Sequence, residues 1–294
     1  MTRPASLSAR QLIDEVTDPL SWRSWDEPLD EPAASGCEYR AELVLAAARA
    51  GIDESVMTGS AVINGHRVAM VVSEFAFLGG SIGSAVSDRI TSAIHRATTE
   101  RLPLLVAPCS GGTRMQEGTA AFLQMIRITA AVERFKSTQL PYLVYLRHPT
   151  TGGVFASWAS LGHIVLAEPG ALVGFLGPRV YQALTGTPFP QGVQTSEHLY
   201  SCGLIDGVYR ADQLANVVSR ILDIVSHPSP TMDSPMVPSV PSDNHAGSAW
   251  ASVLSTRHPN RPGVRELLDT AAQLVLLHGT GAGEADPSVV VALA

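Results

Sequence analysis

The strongest constraint on how this chain folds is a unit that occurs three times: an apolar run, two adjacent glycines, then a stretch with helical periodicity. Residues 67–75 lead to Gly79-Gly80, Leu104-Leu105-Val106-Ala107 leads to Gly111-Gly112, and Tyr142-Leu143-Val144-Tyr145-Leu146 leads to Gly152-Gly153. Behind the first pair, Ile82, Val86, Ile90, Ala93, Ile94 and Ala97 recur at the spacing of one helix face. One diglycine is an ordinary tight turn. Three of them after successive strands predict turns sharing one sheet edge, and in open α/β sheets that edge takes ligands. Without a Cβ in the way, a diglycine leaves backbone N–H groups approachable, which makes it a candidate oxyanion hole.

The rest of the chain can be read around this repeat. An amphipathic piece over 8–16 and a stretch with Trp22 and Trp25 predict a helix and a packing arm; residues 41–51 predict a second helix stopped by Gly51. Asn64-Gly65 between two strand-like runs predicts a hairpin. The helix predicted from Glu117 to Lys136 is apolar nearly all round, which predicts burial on every side. Glu168-Pro169-Gly170 marks a turn between two short apolar runs, and Gly177-Pro178-Arg179 opens a helix. Two further helices, over 197–204 and 211–225, flank a short strand at 206–209. Prolines 228, 230, 235, 238 and 241 then read as a linker. Beyond it, Val264, Leu267, Leu268, Ala271, Leu274 and Val275 predict one helix, and Val289-Val290-Val291 a strand. The expected organisation is therefore a helical arm at 1–54, the main body at 55–227, a linker at 228–247 and a closing segment at 248–294.

Of the 294 residues 45% are hydrophobic and 16% charged, so a large buried interface and a homo-oligomer are expected. The net charge of −7 argues against nucleic acid as a partner. No signal-peptide pattern and no run of membrane-spanning length occurs, which predicts a cytoplasmic protein without a membrane partner. Cys37, Cys109 and Cys202 are odd in number and far apart, fit neither a disulfide framework nor a zinc site, and are expected to be small buried residues.

Four motifs in register carry a family resemblance: Phe77-Leu78-Gly79-Gly80-Ser81-Ile82-Gly83-Ser84, Ser110-Gly111-Gly112-Thr113-Arg114-Met115-Gln116-Glu117-Gly118, Pro149-Thr150-Thr151-Gly152-Gly153-Val154, and the run from Ala167 through Glu168-Pro169-Gly170 to Gly177-Pro178-Arg179-Val180. Through them the chain resembles the β subunit of bacterial acetyl-CoA carboxylase carboxyltransferase. That resemblance implies an α/β crotonase-like (ClpP/crotonase) fold built from repeated ββα units. It departs in two places. The family's four-cysteine zinc ribbon has no counterpart here, so no zinc is expected, and residues 249–279 resemble the opening of the family's α subunit.

The resemblance implies a role in fatty acid biosynthesis: the carboxyl group of carboxybiotin, borne on a carrier protein, passes to the α-carbon of an acyl-CoA such as acetyl-CoA. Implied partners are an α-type carboxyltransferase half, fused or separate, together with biotin carboxyl carrier protein and biotin carboxylase. Gly152 and Gly153 are assigned by resemblance to one oxyanion hole, with Gly111 and Gly112 as its wall or second contributor. Gly79, Gly80, Arg114, Thr151 and Arg179 are assigned to substrate binding. Arg114 and Glu117 can equally form a structural i, i+3 ion pair, Arg179 can equally fix its own turn, and His148 can serve a turn or the surface rather than act as a base. Two alternatives stay open: a silent assembly or acyl-CoA-binding subunit of the same fold, and a thioester hydrolase using Cys109 or Ser110. The second lacks the nucleophile-elbow pattern, because Pro108 stands where glycine is required.

Overall fold

The structure is a computed structural model that describes residues 7–28, 36–226, 249–258, 263–269, 274–278 and 289–293. The chain begins with α1 (Ala9–Val16), β1 (Arg23–Ser24) and α2 (Cys37–Ala50), followed by the hairpin strands β2 (Val56–Ile63) and β3 (His66–Ser73). Three units follow: α3 (Ser84–Thr99) after β3; β4 (Leu104–Ala107) with α4 (Thr119–Ser137); and β5 (Tyr142–Leu146), β6 (Thr150–Thr151) and α5 (Gly152–Phe155). The body closes with β7 (Ile164–Ala167), β8 (Val173–Gly174), α6 (Pro178–Thr185), α7 (Ser196–Ser201), β9 (Gly207–Val208) and α8 (Ala211–Ser226). After it come α9 (Ala249–Thr256), α10 (Val264–Leu268), β10 (Val275–Leu277) and β11 (Val291–Leu293).

The main sheet has the order β1-β2-β3-β4-β5-β7-β9, antiparallel through β3 and parallel beyond it. Asn64 and Gly65, both at positive φ, make the tight turn between β2 and β3, pairing Ile63 with His66. Both sheet faces are covered. Val71, Val106 and Val144 point to the layer of α3 and α4, while the alternate residues Met70, Leu105 and Leu143 point to the layer of α1 and α8. Strands buried on both sides need apolar residues at every position, which is why β4 and β5 read as unbroken apolar runs.

Above the carboxyl ends of β3, β4 and β5 a second, shorter row of pairings forms. Ile82 bridges Thr113, Ser110 bridges Thr150, and β6 pairs in parallel with β8. Strand, short strand, helix is the repeated ββα unit that the resemblance implies.

Three expectations are corrected. The α4 helix is buried along one face only, through Met125, Ile128, Val132 and Phe135, while Phe122 and Ile126 are 60% and 62% exposed. Its outer apolar face has no cover among the described residues, so an all-round apolar pattern here marks an unpartnered surface. The helix predicted through Val275 ends at Leu268, and Val275 instead enters β10, paired with β11 and packed into the α1/α8 layer. Cys202 is half-buried rather than buried, whereas Cys109 is buried; the side chain of Cys37 and the linker at 228–247 lie outside the described residues. Within the first 54 residues, α1 contributes Leu12, Ile13 and Val16 to the core.

At Gly80, with φ +64°, an added Cβ would stand 1.9 Å from the Cys109 carbonyl oxygen; at Gly170, with φ +65°, it would meet nothing within 4 Å. Gly80→Ala is therefore expected to cost about 3 kcal/mol of overpacking and backbone strain, against about 1 kcal/mol for Gly170→Ala. Urea unfolding of the two variants measures the difference.

Candidate active site

The three diglycines meet at one place. Gly111 donates its N–H to the Gly79 carbonyl at 2.9 Å, Ser110 donates to the Pro149 carbonyl at 2.7 Å, and Thr151 donates to the Ser110 carbonyl at 2.9 Å. A Cβ on Gly152 would come within 3.6 Å of the Gly111 carbonyl oxygen and 3.7 Å of the Gly112 Cα. Each turn is thus packed against the backbone of the next.

Most N–H groups in this cluster are committed. Gly80 donates to the Phe77 carbonyl, Gly112 to Ser110 Oγ at 3.0 Å, and Gly152 to the Phe175 carbonyl at 3.1 Å. The N–H of Gly153, in the first turn of α5, finds no acceptor among the described residues. Beside it lies Gly112, at φ +120°, where a Cβ would come within 3.9 Å of Gly153 N. A backbone donor without a partner, beside a position with no side chain, is what a developing oxyanion requires. The N–H groups of Gly111 and Gly112 are themselves spent on the Gly79 carbonyl and Ser110 Oγ.

The buried polar groups nearby are structural. Arg114 is only 1% exposed. Its guanidinium forks onto the Glu54 carboxylate, donates to the Ser81 carbonyl at 2.9 Å and to the Tyr39 hydroxyl at 3.3 Å, and lies 3.7 Å from Glu117. It has no face open to a phosphate, so the substrate-binding expectation for Arg114 gives way to a structural one. The i, i+3 contact with Glu117 is present, but Glu54 is the nearer partner. Sequence reasoning missed Glu54 and Tyr39, because nothing local links them to a residue so far along the chain. Thr151 is buried with its hydroxyl 3.5 Å from the Ser110 carbonyl, and the side chain of Arg179 lies outside the described residues.

Burial pushes the Tyr39 phenol up, the Arg114 charge pulls it back, and its hydrogen bond to Glu117 raises it again, leaving it at about 12. Burial raises Glu117 as well, but donation from the Ser84 N–H and the Tyr39 hydroxyl, with the Arg114 charge, outweighs it and brings the carboxyl below its ordinary value. Glu117 accordingly stabilises the fold above the ordinary carboxylate range and loses that contribution as the pH falls through its lowered value.

Neither nucleophile of the hydrolase alternative faces a ligand. Cys109 is buried with its thiol donating to the His148 carbonyl at 2.9 Å, and Ser110 is buried with its hydroxyl turned back onto Gly112. A cavity of about 490 Å³ between the arm and α3, lined in part by Trp25, Thr58, Arg89 and Arg96, contains none of the diglycine residues. The site is an open edge. Among the described residues no group of His, Cys, Asp and Glu could hold a metal ion, and no helix is long and apolar enough to cross a membrane.

A crotonase-like α/β scaffold with three glycine turns meeting at its strand ends defines the fold class. The comparisons with known proteins agree with it. The family model described as the carboxyl transferase domain matches residues 5–294. The chain is 55% identical, over 285 residues, to the probable biotin-dependent acyl-coenzyme A carboxylase beta3 subunit of Mycobacterium tuberculosis, covering 95% of this chain and 56% of that one. To the acetyl-coenzyme A carboxylase carboxyl transferase subunit beta of Bartonella bacilliformis it is 39% identical over 233 residues, covering 79% and 70%. Among solved structures, the transcarboxylase 12S hexamer with hydrolysed methylmalonyl-coenzyme A superposes with a TM-score of 0.64 at 21% identity, over 74% of this chain and 41% of that one. The chain belongs to the carboxyl transferase family. It spans about half the length of the mycobacterial subunits that it matches.

Two outcomes follow from the buried charges. Glu54→Gln leaves the Arg114 charge buried without its counter-ion and is expected to cost about 3 kcal/mol or more, whereas Glu54→Leu with Arg114→Met costs less than either single change; chemical denaturation of the set measures this. Tyr39 keeps its proton in the folded chain to about 12, while an unfolded tyrosine ionises near about pH 10. Stability is therefore expected to decline as pH rises between these values, and ultraviolet titration of wild type against Tyr39→Phe isolates the late-ionising phenol.

Proposed function

We propose that this chain is the β-type carboxyltransferase half of a biotin-dependent acyl-CoA carboxylase, directing a carboxyl group to the α-carbon of an acyl-CoA, acetyl-CoA among them. The observation that carries this reading is the Gly153 N–H, which has no acceptor among the described residues and lies beside Gly112. Carboxybiotin, delivered on a carrier protein, supplies the carboxyl group. This chain's part is to bind the thioester and steady the charge that grows on its oxygen as the α-carbon becomes nucleophilic. A fixed backbone N–H does this without reorganising, which makes it more effective than a mobile side chain. Gly152 supplies the turn at φ +64° and Gly153 the donor.

Gly79 and Gly80 fit a supporting role, the Gly79 carbonyl holding the second turn and Gly80 leaving room for the Cys109 carbonyl. The outer face of α4 supports a partner. Phe122 and Ile126 are exposed on it, and Met115, just before it, is 86% exposed. Apolar surface of this extent is characteristic of interaction sites. An α-type half, fused or separate, covering α4 and supplying donors for the biotin side agrees with the relatives extending well beyond the length matched here. A homo-oligomer served by biotin carboxyl carrier protein and biotin carboxylase completes the reading.

Proline removes an N–H and is tolerated in the first turn of a helix, while the site of a Cβ on Gly153 has only ordinary contacts, 3.5 Å to Met125 and 3.6 Å to Thr113. In the complete enzyme, Gly153→Pro is expected to lower carboxyl transfer about a hundredfold or more, whereas Gly153→Ala, which keeps the donor, stays within about tenfold of wild type. Steady-state transfer assays measure both, and a Gly153→Pro enzyme at wild-type rate would refute the assignment.

A further inference from the structure

The pairing that holds the Gly152-Gly153 turn has an unusual last rung. In β6 and β8, Thr150 pairs with Val173 and Thr151 with Gly174; Thr150 donates its N–H to the Leu172 carbonyl at 2.9 Å, and Gly152 donates to Phe175 at 3.1 Å. One step earlier, the regular parallel pattern would have the Leu172 N–H donate to the His148 carbonyl. It donates instead to His148 Nδ1, at 3.0 Å. The His148 carbonyl accepts the Cys109 thiol, and Pro149 has no N–H to give. The imidazole therefore stands where a backbone carbonyl would.

We propose that His148 is a positioning residue: its imidazole, unprotonated at Nδ1, completes the pairing that holds the oxyanion turn, and proton uptake breaks that rung and slows carboxyl transfer. The link to activity rests on the reading of Gly153; the rung itself does not. Nδ1 accepts an N–H only while it carries no proton, which places the neutral ring's hydrogen on Nε2. With a proton on each ring nitrogen, two N–H donors confront one another and the Leu172 N–H loses its acceptor. Around His148, the Glu168 carboxylate at the end of β7 accepts the His148 N–H at 3.0 Å, and the Cys109 thiol comes from the end of β4. Arg147, the residue before it, spends its guanidinium on the carbonyls of Ser73 and Leu7. Imidazole is the side chain that changes charge in mildly acid solution.

The substitution His148→Asn places Oδ1 at the same two-bond distance from Cβ as Nδ1 and accepts at every pH; His148→Leu removes the acceptor. Hydrogen exchange of the Leu172 amide, read by NMR on the full chain and corrected for intrinsic rate, tests the rung without any assay of activity. For wild type, exchange should quicken about fivefold between about pH 8 and about pH 5.5. His148→Asn should be flat over this range, and His148→Leu fast throughout. The same pH response in wild type and His148→Asn would overturn the proposal, as would wild-type protection in His148→Leu; should His148→Leu not fold, the first comparison decides alone. In the complete enzyme, kcat should fall on the acid side for wild type and not for His148→Asn, with KM nearly constant in both. An acid limb unchanged by His148→Asn would overturn the link between rung and rate. A wild-type enzyme without carboxyl transfer at any pH would contradict the functional reading, leaving the exchange data to decide the rung.

Discussion

The structure depends on the approach of one backbone to another at the ends of three neighbouring strands. Gly80 sits so close to the Cys109 carbonyl that no side chain fits, and the Gly79 carbonyl accepts the Gly111 N–H. From there, Ser110 and Thr151 carry the contact across to the third turn. Because the strands are parallel and adjacent, these turns arrive side by side, and their mutual hydrogen bonds consume nearly every local donor. Among the described residues the N–H groups of Gly153 and of Val154 after it are left without an acceptor, and that of Gly153 adjoins Gly112. Preorganisation here is a result of accounting for backbone bonds: the group that has no internal partner is the one held in place by neighbours that do.

Buried charge serves the same end from behind. Arg114 reaches Glu54 before β2, Ser81 just after the first diglycine and Glu117 ahead of α4, so one guanidinium ties together segments far apart in sequence. Arg147 does likewise at the end of β5, donating to the carbonyl that ends β3 and to Leu7 ahead of α1, while Glu74 accepts the Ala9 N–H at 2.7 Å. These groups gain little net energy from pairing, but removing one partner is costly, and that fixes the geometry. The guanidinium groups of Arg114 and Arg147 are thereby spent on scaffolding.

The sheet was legible because strands buried on both faces must be apolar throughout, and the hairpin because Asn64-Gly65 suits two positive φ values. The meeting of the diglycines was legible from repetition of the unit. What local pattern could not supply was the identity of long-range partners: Glu54 and Tyr39 for Arg114, and Leu172 for His148. Nor could it distinguish an apolar helix buried on every side from one with an uncovered face, since Phe122 and Ile126 carry the same hydrophobicity as Ile128 and Val132. The difference between Gly152 and Gly153 also needed coordinates: the first N–H goes to the Phe175 carbonyl, and the second meets no acceptor among the described residues.

The central claim is that the Gly153 N–H polarises the thioester carbonyl of a bound acyl-CoA. Isotope-edited infrared spectroscopy of the complete enzyme with acetyl-CoA labelled at the thioester carbonyl reads that polarisation directly. A carbonyl stretch moving to lower frequency on binding is the result the account predicts. A stretch at its solution frequency in the saturated complex would contradict it.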